Sequence, residues 1–344
     1  MPLDARRRAE RPAVFRRPGA LLYAGNCLDL LAASDRGEVA LEAFARRGYP
    51  GKDLGNALPQ VCSTGYWDST RPQGWGLREH CNEGVKIGVV ARGSLDVRFG
   101  ARTHTLTAGD ILVVRPWELH AIGAPHVGPS RYVWLLLDVG VRRPHETWTW
   151  PDWLGWTPGD LAELTRLLSQ SGSAIFRGNR AVIDAFERIA AHVEAPTLER
   201  RETALRLALS GMLLEVRDAL GEVELTLDRS LTSSYRTVSI FVERLRASLA
   251  EDWTLDSMAA ECALSRTQFA KHFQKITNMT PARYLREMRL ECALDVLATD
   301  RSRSITDVAY EFGFGSSQYF ATQVLRSRGH SPSDLRRRAV TPAA

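Results

Sequence analysis

Cysteine is scarce in this 344-residue chain: Cys27, Cys62, Cys81, Cys262 and Cys292 are scattered, odd in number and never spaced as a CxxC pair. A disulfide frame or a structural zinc site needs paired thiols, so the pattern reads as reduced thiols in a cytoplasm. No apolar run reaches the roughly 18 residues that cross a bilayer, and no membrane partner is expected. The nearest approach to an export signal, Arg16-Arg17 followed by ALLYAGNCLDLLAA, is interrupted by Asn26 and Asp29 and lacks an unbroken apolar centre. P-loop, dinucleotide-binding and catalytic-triad patterns are missing too, so no catalytic residue and no cofactor is assigned.

What is present is an ordinary globular composition, 44% hydrophobic and 25% charged, on a chain long enough for two cores. The formal charge of +5 leans towards an anionic partner. Residues 1–19, rich in Arg and Pro, read as a disordered basic tail. From 85 to 122 apolar residues recur with period two. Leu95, Val97 and Phe99 share one strand face, Gly100 turns the chain into THTLT, and Gly109-Asp110 opens ILVV. Residues 20–150 are therefore a β-domain, a sandwich or small barrel. Thr157-Pro158-Gly159-Asp160 then starts a helix, with a hydroxyl cap, proline at the first position and an acid in the first turn. Helices at 160–169, 179–194 and 197–220 make a helical extension over 151–220. Residues 221–233 are polar and aperiodic, a linker, and 234–338 is nearly all helical.

The last segment contains one pattern twice. Residues 254–281, TLDSMAAECALSRTQFAKHFQKITNMTP, align with residues 304–332, SITDVAYEFGFGSSQYFATQVLRSRGHSP. Each opens on a hydroxyl cap, and Asp307 at the third position predicts a reciprocal capping box in the second. Each places a small residue, Ala259 or Ala309, where another helix must come close. Four residues on lies the turn, Ala263 or Gly313, and then a bulky plug, Leu264 or Phe314. A serine starts the next helix: Ser265 in the first copy, Ser316 or Ser317 in the second. This is a helix-turn-helix written twice. In the first reading helix the spacing buries Phe269, Phe273 and Ile276 and leaves Thr267, Ala270, Lys271 and Gln274 outside. In the second it buries Tyr319, Phe320 and Val324 and exposes Gln318, Ala321, Thr322 and Leu325. No acid occurs between Cys262 and Arg286, or from Phe312 to Ser333. Such faces suit a phosphate-lined major groove of double-stranded DNA. Thr267, Ala270, Lys271, Gln274, Gln318, Ala321 and Thr322 are the expected base readers. Ser265, Arg266, Lys275, Ser316, Ser317, Arg326 and Arg328 are expected at phosphates.

Here the chain resembles the AraC/XylS family of bacterial transcription regulators. The carrying residues are ALSRTQFAKHFQK, TPARYLREMRLECALDVL, ITDVAYEFGFGSSQYF and GHSPSDLRRR, within about 233–338. The resemblance implies an α+β multidomain protein: an N-terminal cupin-like β-barrel with a helical extension, then an all-α double helix-turn-helix domain. It implies two reading helices in successive major grooves, roughly 34 Å apart. It also implies a small-molecule effector, a homodimer formed through residues 150–225, and RNA polymerase as a partner if the protein activates. Asn278 stands where the family usually has Gly, and Val324 and Leu325 replace its usual Phe and basic residue. The first unit therefore carries more of the expected discrimination, each good bidentate contact being worth about 1–3 kcal/mol.

The front half also admits an alternative, a cupin-type metalloenzyme. Metal cupins use a His-x-His-x3-Glu cluster and a later His. The matching positions are His80, Asn82 and Lys86, with His120 as the later histidine, so two ligands are lost and Lys86 would repel a cation. No metal is assigned. His80, Lys86, Trp117 and His120 are instead candidate effector-binding residues. Eight of nine tryptophans lie in the first 156 residues, with Trp148, Trp150, Trp153 and Trp156 clustered. Flat rings stack on sugars, but the simpler reading is a packed junction between strand and helix.

Overall fold

Period-two alternation along one long strand organises the front of the molecule. The computed structural model describes residues 21–22, 27–46, 49–199, 201–300 and 302–338; the basic tail expected at 1–19 lies outside them. Two compact units divide the chain between Ser233 and Ser234.

In the first unit the strands are β1 (Leu21–Leu22), β2 (Ala40–Ala45), β3 (Lys52–Asp53), β4 (Val61–Ser69), β5 (Leu77–Cys81) and β6 (Val85–Phe99). They continue with β7 (Arg102–Thr107), β8 (Asp110–Val114), β9 (His120–Ile122), β10 (Ser130–Leu137) and β11 (Ile175–Arg177). Their order is β1-β5-β9-β6-β10-β4-β2-β3, with β7 and β8 also on β6, and β11 on β8. The first half of β6 pairs with β8 and β10 and its second half with β7 and β9, so one strand serves both sheets. The change comes at Gly93, whose φ of 77° and contact with the Pro129 carbonyl leave no place for a Cβ.

Alternation then sorts the side chains. Val85, Ile87 and Val89 of β6, Ile111 and Val113 of β8, and Val133, Leu135 and Leu137 of β10 form one core with Phe186, Ile189, Leu209 and Leu213. Those last four belong to the helices α3 (Arg180–Val193) and α4 (Glu202–Gly221). The opposite faces send Val90, Leu95, Leu112, Tyr132, Trp134 and Trp67 into a second core, which also takes Leu30 of α1 (Leu28–Asp35). Each such buried side chain contributes about 1.5–3 kcal/mol.

Several expectations need correction. The helix at 158–170, α2, begins as expected, with the Thr157 hydroxyl accepting from the Asp160 N–H at 3.2 Å. Yet β11 sits inside the segment read as purely helical and completes the sheet on β8, so the β-domain does not end at residue 150. The helix expected from 197 starts at Glu202, because Arg201 N–H closes a turn onto Leu198 O. The segment 221–233 is docked rather than loose: Leu227 bridges to Ser171, and Asp228 N–H donates to Gln170 O at 2.7 Å. The clustered tryptophans pack on the helix-facing core, their ring N–H groups held by Thr165, Pro59 and Ser210 for Trp150, Trp153 and Trp156.

The second unit contains α5 (Ser234–Leu245), α6 (Leu255–Glu261), α7 (Arg266–Thr277), α8 (Pro281–Thr299), α9 (Ile305–Glu311), α10 (Ser317–Arg328) and α11 (Pro332–Arg338). A ladder of rings fills its first half: Phe241 meets Trp253 and Phe269, and Phe273 meets Phe269 and Tyr284, with centroids 5.3–5.5 Å apart. Its second half packs Leu290, Ala293 and Leu297 of α8 against Val308, Ala309, Phe314, Phe320 and Val324. Arg289 of α8 ties the halves together, donating to Leu249 O (2.7 Å), Glu251 O (2.8 Å) and Gly313 O (2.9 Å).

The two turns differ in strain. Ala263 takes φ 51°, a conformation an alanine resists. Gly313 takes φ 74°, and a Cβ added there would come within 2.9 Å of the Arg289 guanidinium. Ala263→Gly should raise the stability of this unit by about 0.5–1 kcal/mol, and Gly313→Ala should lower it by more than about 1 kcal/mol. Denaturant titration of both variants measures this; equal effects of one sign would contradict the assignment of strain.

Candidate nucleic-acid interface and barrel interior

The two helix-turn-helix copies match element for element, the second carrying one residue more, Gly315, between its plug Phe314 and its cap Ser316 than the first has between Leu264 and Ser265. Ser265 and Ser316 cap α7 and α10, their hydroxyls accepting from Gln268 N–H (3.3 Å) and Tyr319 N–H (3.1 Å), so Ser316 rather than Ser317 is the cap. Both helices end in a left-handed residue, Asn278 at φ 57° and Gly329 at φ 72°. The reciprocal box expected at Ser304 and Asp307 is not closed. It forms in the first copy instead, between Thr254 and Ser257.

On α7, Thr267, Lys271 and Gln274 are exposed and Ala270 half-buried, while Phe269 and Phe273 are buried; Ile276, expected inside, is only half-buried. On α10, Gln318, Thr322 and Leu325 are exposed and Ala321 half-buried. Tyr319, expected in the core, is 50% exposed. The core stripe runs through Phe320 and Val324, four apart, and Tyr319 falls about 100° to one side of it. There it borders Phe314 at 6.3 Å and lies beside the exposed reading residues, a position the sequence reading missed. Its counterpart in the first copy is the exposed Gln268.

Of the residues expected at phosphates, Ser265, Lys275, Arg326 and Arg328 are exposed, and Ser316 and Ser317 half-buried. Arg266 is engaged already, forming an ion pair with Asp256 of α6. With both side chains more than half exposed, that pair is worth little and can be exchanged for a phosphate. Lys275 rests over the Tyr235 ring at 5.6 Å. Burial, and then the charges of Lys271 and Lys275, lower the pKa of His272, which marks a positive local field on this face.

Within the β-unit the structure brings His80, Lys86 and His120 together, all fully buried. Strand pairing sets His80 opposite His120, with ring centroids 4.2 Å apart. Nδ1 of each meets a backbone carbonyl, Arg78 O at 2.7 Å and Glu118 O at 2.9 Å. A carbonyl can only accept, so each Nδ1 carries the proton and each Nε2 keeps its lone pair. Burial followed by the Lys86 charge brings His80 down to about 3. Burial, then His80 and Lys86, holds His120 well below its usual range. Burial also brings Lys86 down to about 7. Trp117 does not join them. It lies with Cys81 and Leu119, its indole N–H donating to Val141 O at 2.9 Å, because Cys81 points to the opposite side from His80.

The interior also holds residues the sequence reading passed over. Tyr132 is paired opposite Val90, and its hydroxyl lies over Gly88, where a Cβ would collide with it. That hydroxyl, Trp67 Nε1, His120 Nε2 and the Asn82 amide are buried without a hydrogen-bond partner. The alternation of SRYVWLLL held the signal, since Tyr132 and Trp134 must face away from Val133 and Leu135. Among the described residues no group of three His, Cys, Asp or Glu side chains is placed to hold a metal. No helix among them is long and apolar enough to cross a membrane.

Comparison with known proteins agrees with this division. A family model described as an AraC-like ligand binding domain matches residues 68–152, and a helix-turn-helix domain model matches residues 258–338. The HTH-type transcriptional activator RhaS of Escherichia coli O1:K1 is 26% identical over 262 residues, 75% of this chain and 87% of that protein. Among solved structures, the DNA-binding domain of the transcriptional factor AdpA, in complex with a target DNA, is 28% identical. It covers 31% of this chain and 97% of that one, with a TM-score of 0.29. An apo ToxT variant from Vibrio cholerae is 13% identical over 82% of this chain and 98% of its own, with a TM-score of 0.36.

The buried amine makes stability depend on pH. Between about 7 and the ordinary lysine value of 10.5 the unfolded chain binds a proton at Lys86 that the folded chain does not, so stability rises with pH there. From pH 7 to 9 the β-unit should gain on the order of 2 kcal/mol from this group. Lys86→Met should remove the gain and melt higher than the parent at pH 7. Thermal melts from pH 6.5 to 9 read the slope; an unchanged slope in the variant would contradict the assignment.

Proposed function

Since this chain belongs to the AraC/XylS family of transcription regulators, we propose how its units divide the work. The chain is a DNA-binding helix-turn-helix regulator with an AraC-like ligand-binding domain. Thr267, Ala270, Lys271 and Gln274 read bases from the first unit, and Gln318, Ala321 and Thr322, joined by Tyr319, from the second. Ser265, Arg266, Lys275, Ser316, Ser317, Arg326 and Arg328 hold phosphates. The observation that carries this reading is the coincidence of two capped, acid-free reading helices with matching exposed positions. An acid-free face lets the backbone charge of DNA supply affinity, while the short polar side chains approach base edges.

A small effector held inside the β-unit shifts the population of DNA-competent dimers. The dimer forms through α4. Leu207 and Leu214, seven residues apart and 69% and 40% exposed, flank Gly211, beside which nothing lies within 4 Å. A second copy of the helix fits this stripe, with the glycine admitting close approach. The protein acts in the cytoplasm, without catalysis of its own, and activates transcription through contact with RNA polymerase, in keeping with the activator named among its relatives.

Selection of bound sequences from random duplexes with the full chain tests the DNA reading. Lys271→Ala should relax preference at one base position, whereas Arg326→Ala should weaken all sequences alike and reduce the salt slope by about 1. Unaltered preference in Lys271→Ala would mean that α7 presents another face. Leu207→Glu combined with Leu214→Glu should give a monomer by sedimentation, and a dimer that persists would move the interface elsewhere.

A further inference from the structure

The two reading helices carry the same four outward positions with different chemistry. Aligned on their capping serines, Ser265 and Ser316, α7 places Thr267, Ala270, Lys271 and Gln274 where α10 places Gln318, Ala321, Thr322 and Leu325. The buried positions agree in the same register, Phe269 with Phe320 and Phe273 with Val324, and so does the exposed cation that follows, Lys275 with Arg326. Leu325 therefore stands where the first copy has the base reader Gln274. Seven residues return a helix to within about 20° of its start, so Leu325 shares the line of Gln318 along α10.

A single exposed leucine is ordinary on a protein surface, so its 53% exposure alone decides nothing. Its place does. Leu325 lies about 100° round the helix from the core residue Val324, inside the outward line. Arg326 lies about 100° to one side of it and Arg328 about 60° to the other, and both are exposed. A helix in the major groove sends such flanking cations to the phosphates of the groove walls and its middle line to the base edges. The neighbouring hydroxyl is engaged already, Thr322 Oγ1 donating to Gln318 O at 2.9 Å. From Ala321 to Leu325 this line therefore offers methyl groups, where the first copy offers the amine of Lys271 and the amide of Gln274.

We propose that Leu325 is a base reader that selects thymine through its C5-methyl group. This rests on the reading of α10 as a DNA-reading helix and adds what that helix recognises. In the major groove thymine is the base that presents a methyl group, and alkyl side chains meet it by apolar contact. Leucine makes no hydrogen bond to a base edge, so against guanine or cytosine it covers donors and acceptors and leaves them unpaired, at a cost in free energy. Against thymine it takes two apolar groups out of water together. The two units then divide recognition by chemistry, the first through hydrogen bonds from Lys271 and Gln274 and the second through methyl contact at Leu325.

The test begins with the duplex that the full chain selects from random sequence. The base pair at which Lys271→Ala relaxes preference marks the first half-site, and the second lies about one helical turn, roughly 10 base pairs, away. Each thymine of the second half-site, on either strand, is then replaced in turn by deoxyuridine, which removes the methyl and keeps every hydrogen-bonding atom. At one of them the full chain should bind about fourfold more weakly, the effect of burying one methyl. Leu325→Ala, melting as the parent does, should bind the thymine and deoxyuridine duplexes alike. Both proteins meet the same two duplexes, so any change of DNA shape cancels in the comparison. A parent indifferent to every replacement, or a selected second half-site without thymine, overturns the proposal and leaves the DNA reading standing. A methyl effect that survives in Leu325→Ala also overturns it, because another side chain then touches the methyl. Failure of the full chain to select any sequence overturns the DNA reading, and the proposal with it.

Discussion

Strand β6 is the constraint from which the β-unit follows. Its residues alternate between a face that must be apolar, because helices α3 and α4 close over it, and a face that looks inward. A slip of one residue would place Lys86 against the helices and Ile87 inside, reversing every contact on the strand. The pairing with β10 makes that slip prohibitive, since Val133, Leu135 and Leu137 share the helix-facing core with Val85, Ile87 and Val89. The hydrophobic half of the pattern thus holds the polar half in register. Burying an amine and two imidazoles works against folding, and the surrounding apolar contacts offset it. Such a sacrifice of stability at one point in a fold is the usual signature of a functional interior.

In the second unit a single guanidinium plays a comparable part. Arg289 satisfies carbonyls from the segment before α6 and from the turn before α10, and therefore joins the two helix-turn-helix copies through the middle of α8. Nineteen residues of helix span about 28 Å, close to the rise of one DNA turn. Two reading helices carried on a flexible tether would lose entropy on each binding event, whereas a braced pair has lost it already. The left-handed conformation at Gly313 is part of this brace, because its carbonyl is one of the three that Arg289 holds.

Much of the second unit was legible in the sequence because its determinants are local. Ser265, Ser316, Asn278, Gly313 and Gly329 act within a few residues of themselves, and the i, i+4 spacing of Phe269 and Phe273 needs no partner to be seen. The failures there are at stripe edges. Tyr319 and Ile276 lie beside the core positions, and a periodic pattern does not say where the neighbouring helix ends. Asp307 matched a capping pattern by type, but only the Ser304 half of the box forms there. The β-unit was less legible. Its turns at Gly100 and Gly109 could be read, yet β11 joins the sheet from the far side of a helix, and Leu227 is drawn onto Ser171 from a segment that reads as polar linker.

By itself the sequence determined the double helix-turn-helix and its acid-free faces. Both are written in spacings shorter than about one helix. Only the tertiary structure decided which aromatic residues look into the β-unit, that Lys86 is wholly buried beside His80 and His120, that Trp117 stands apart, and that the tryptophans at 148–156 belong to the helix-facing core. Those outcomes depend on strands distant in the chain choosing one another, and pairing of that kind is settled by the total burial of the sheet rather than by any stretch within it.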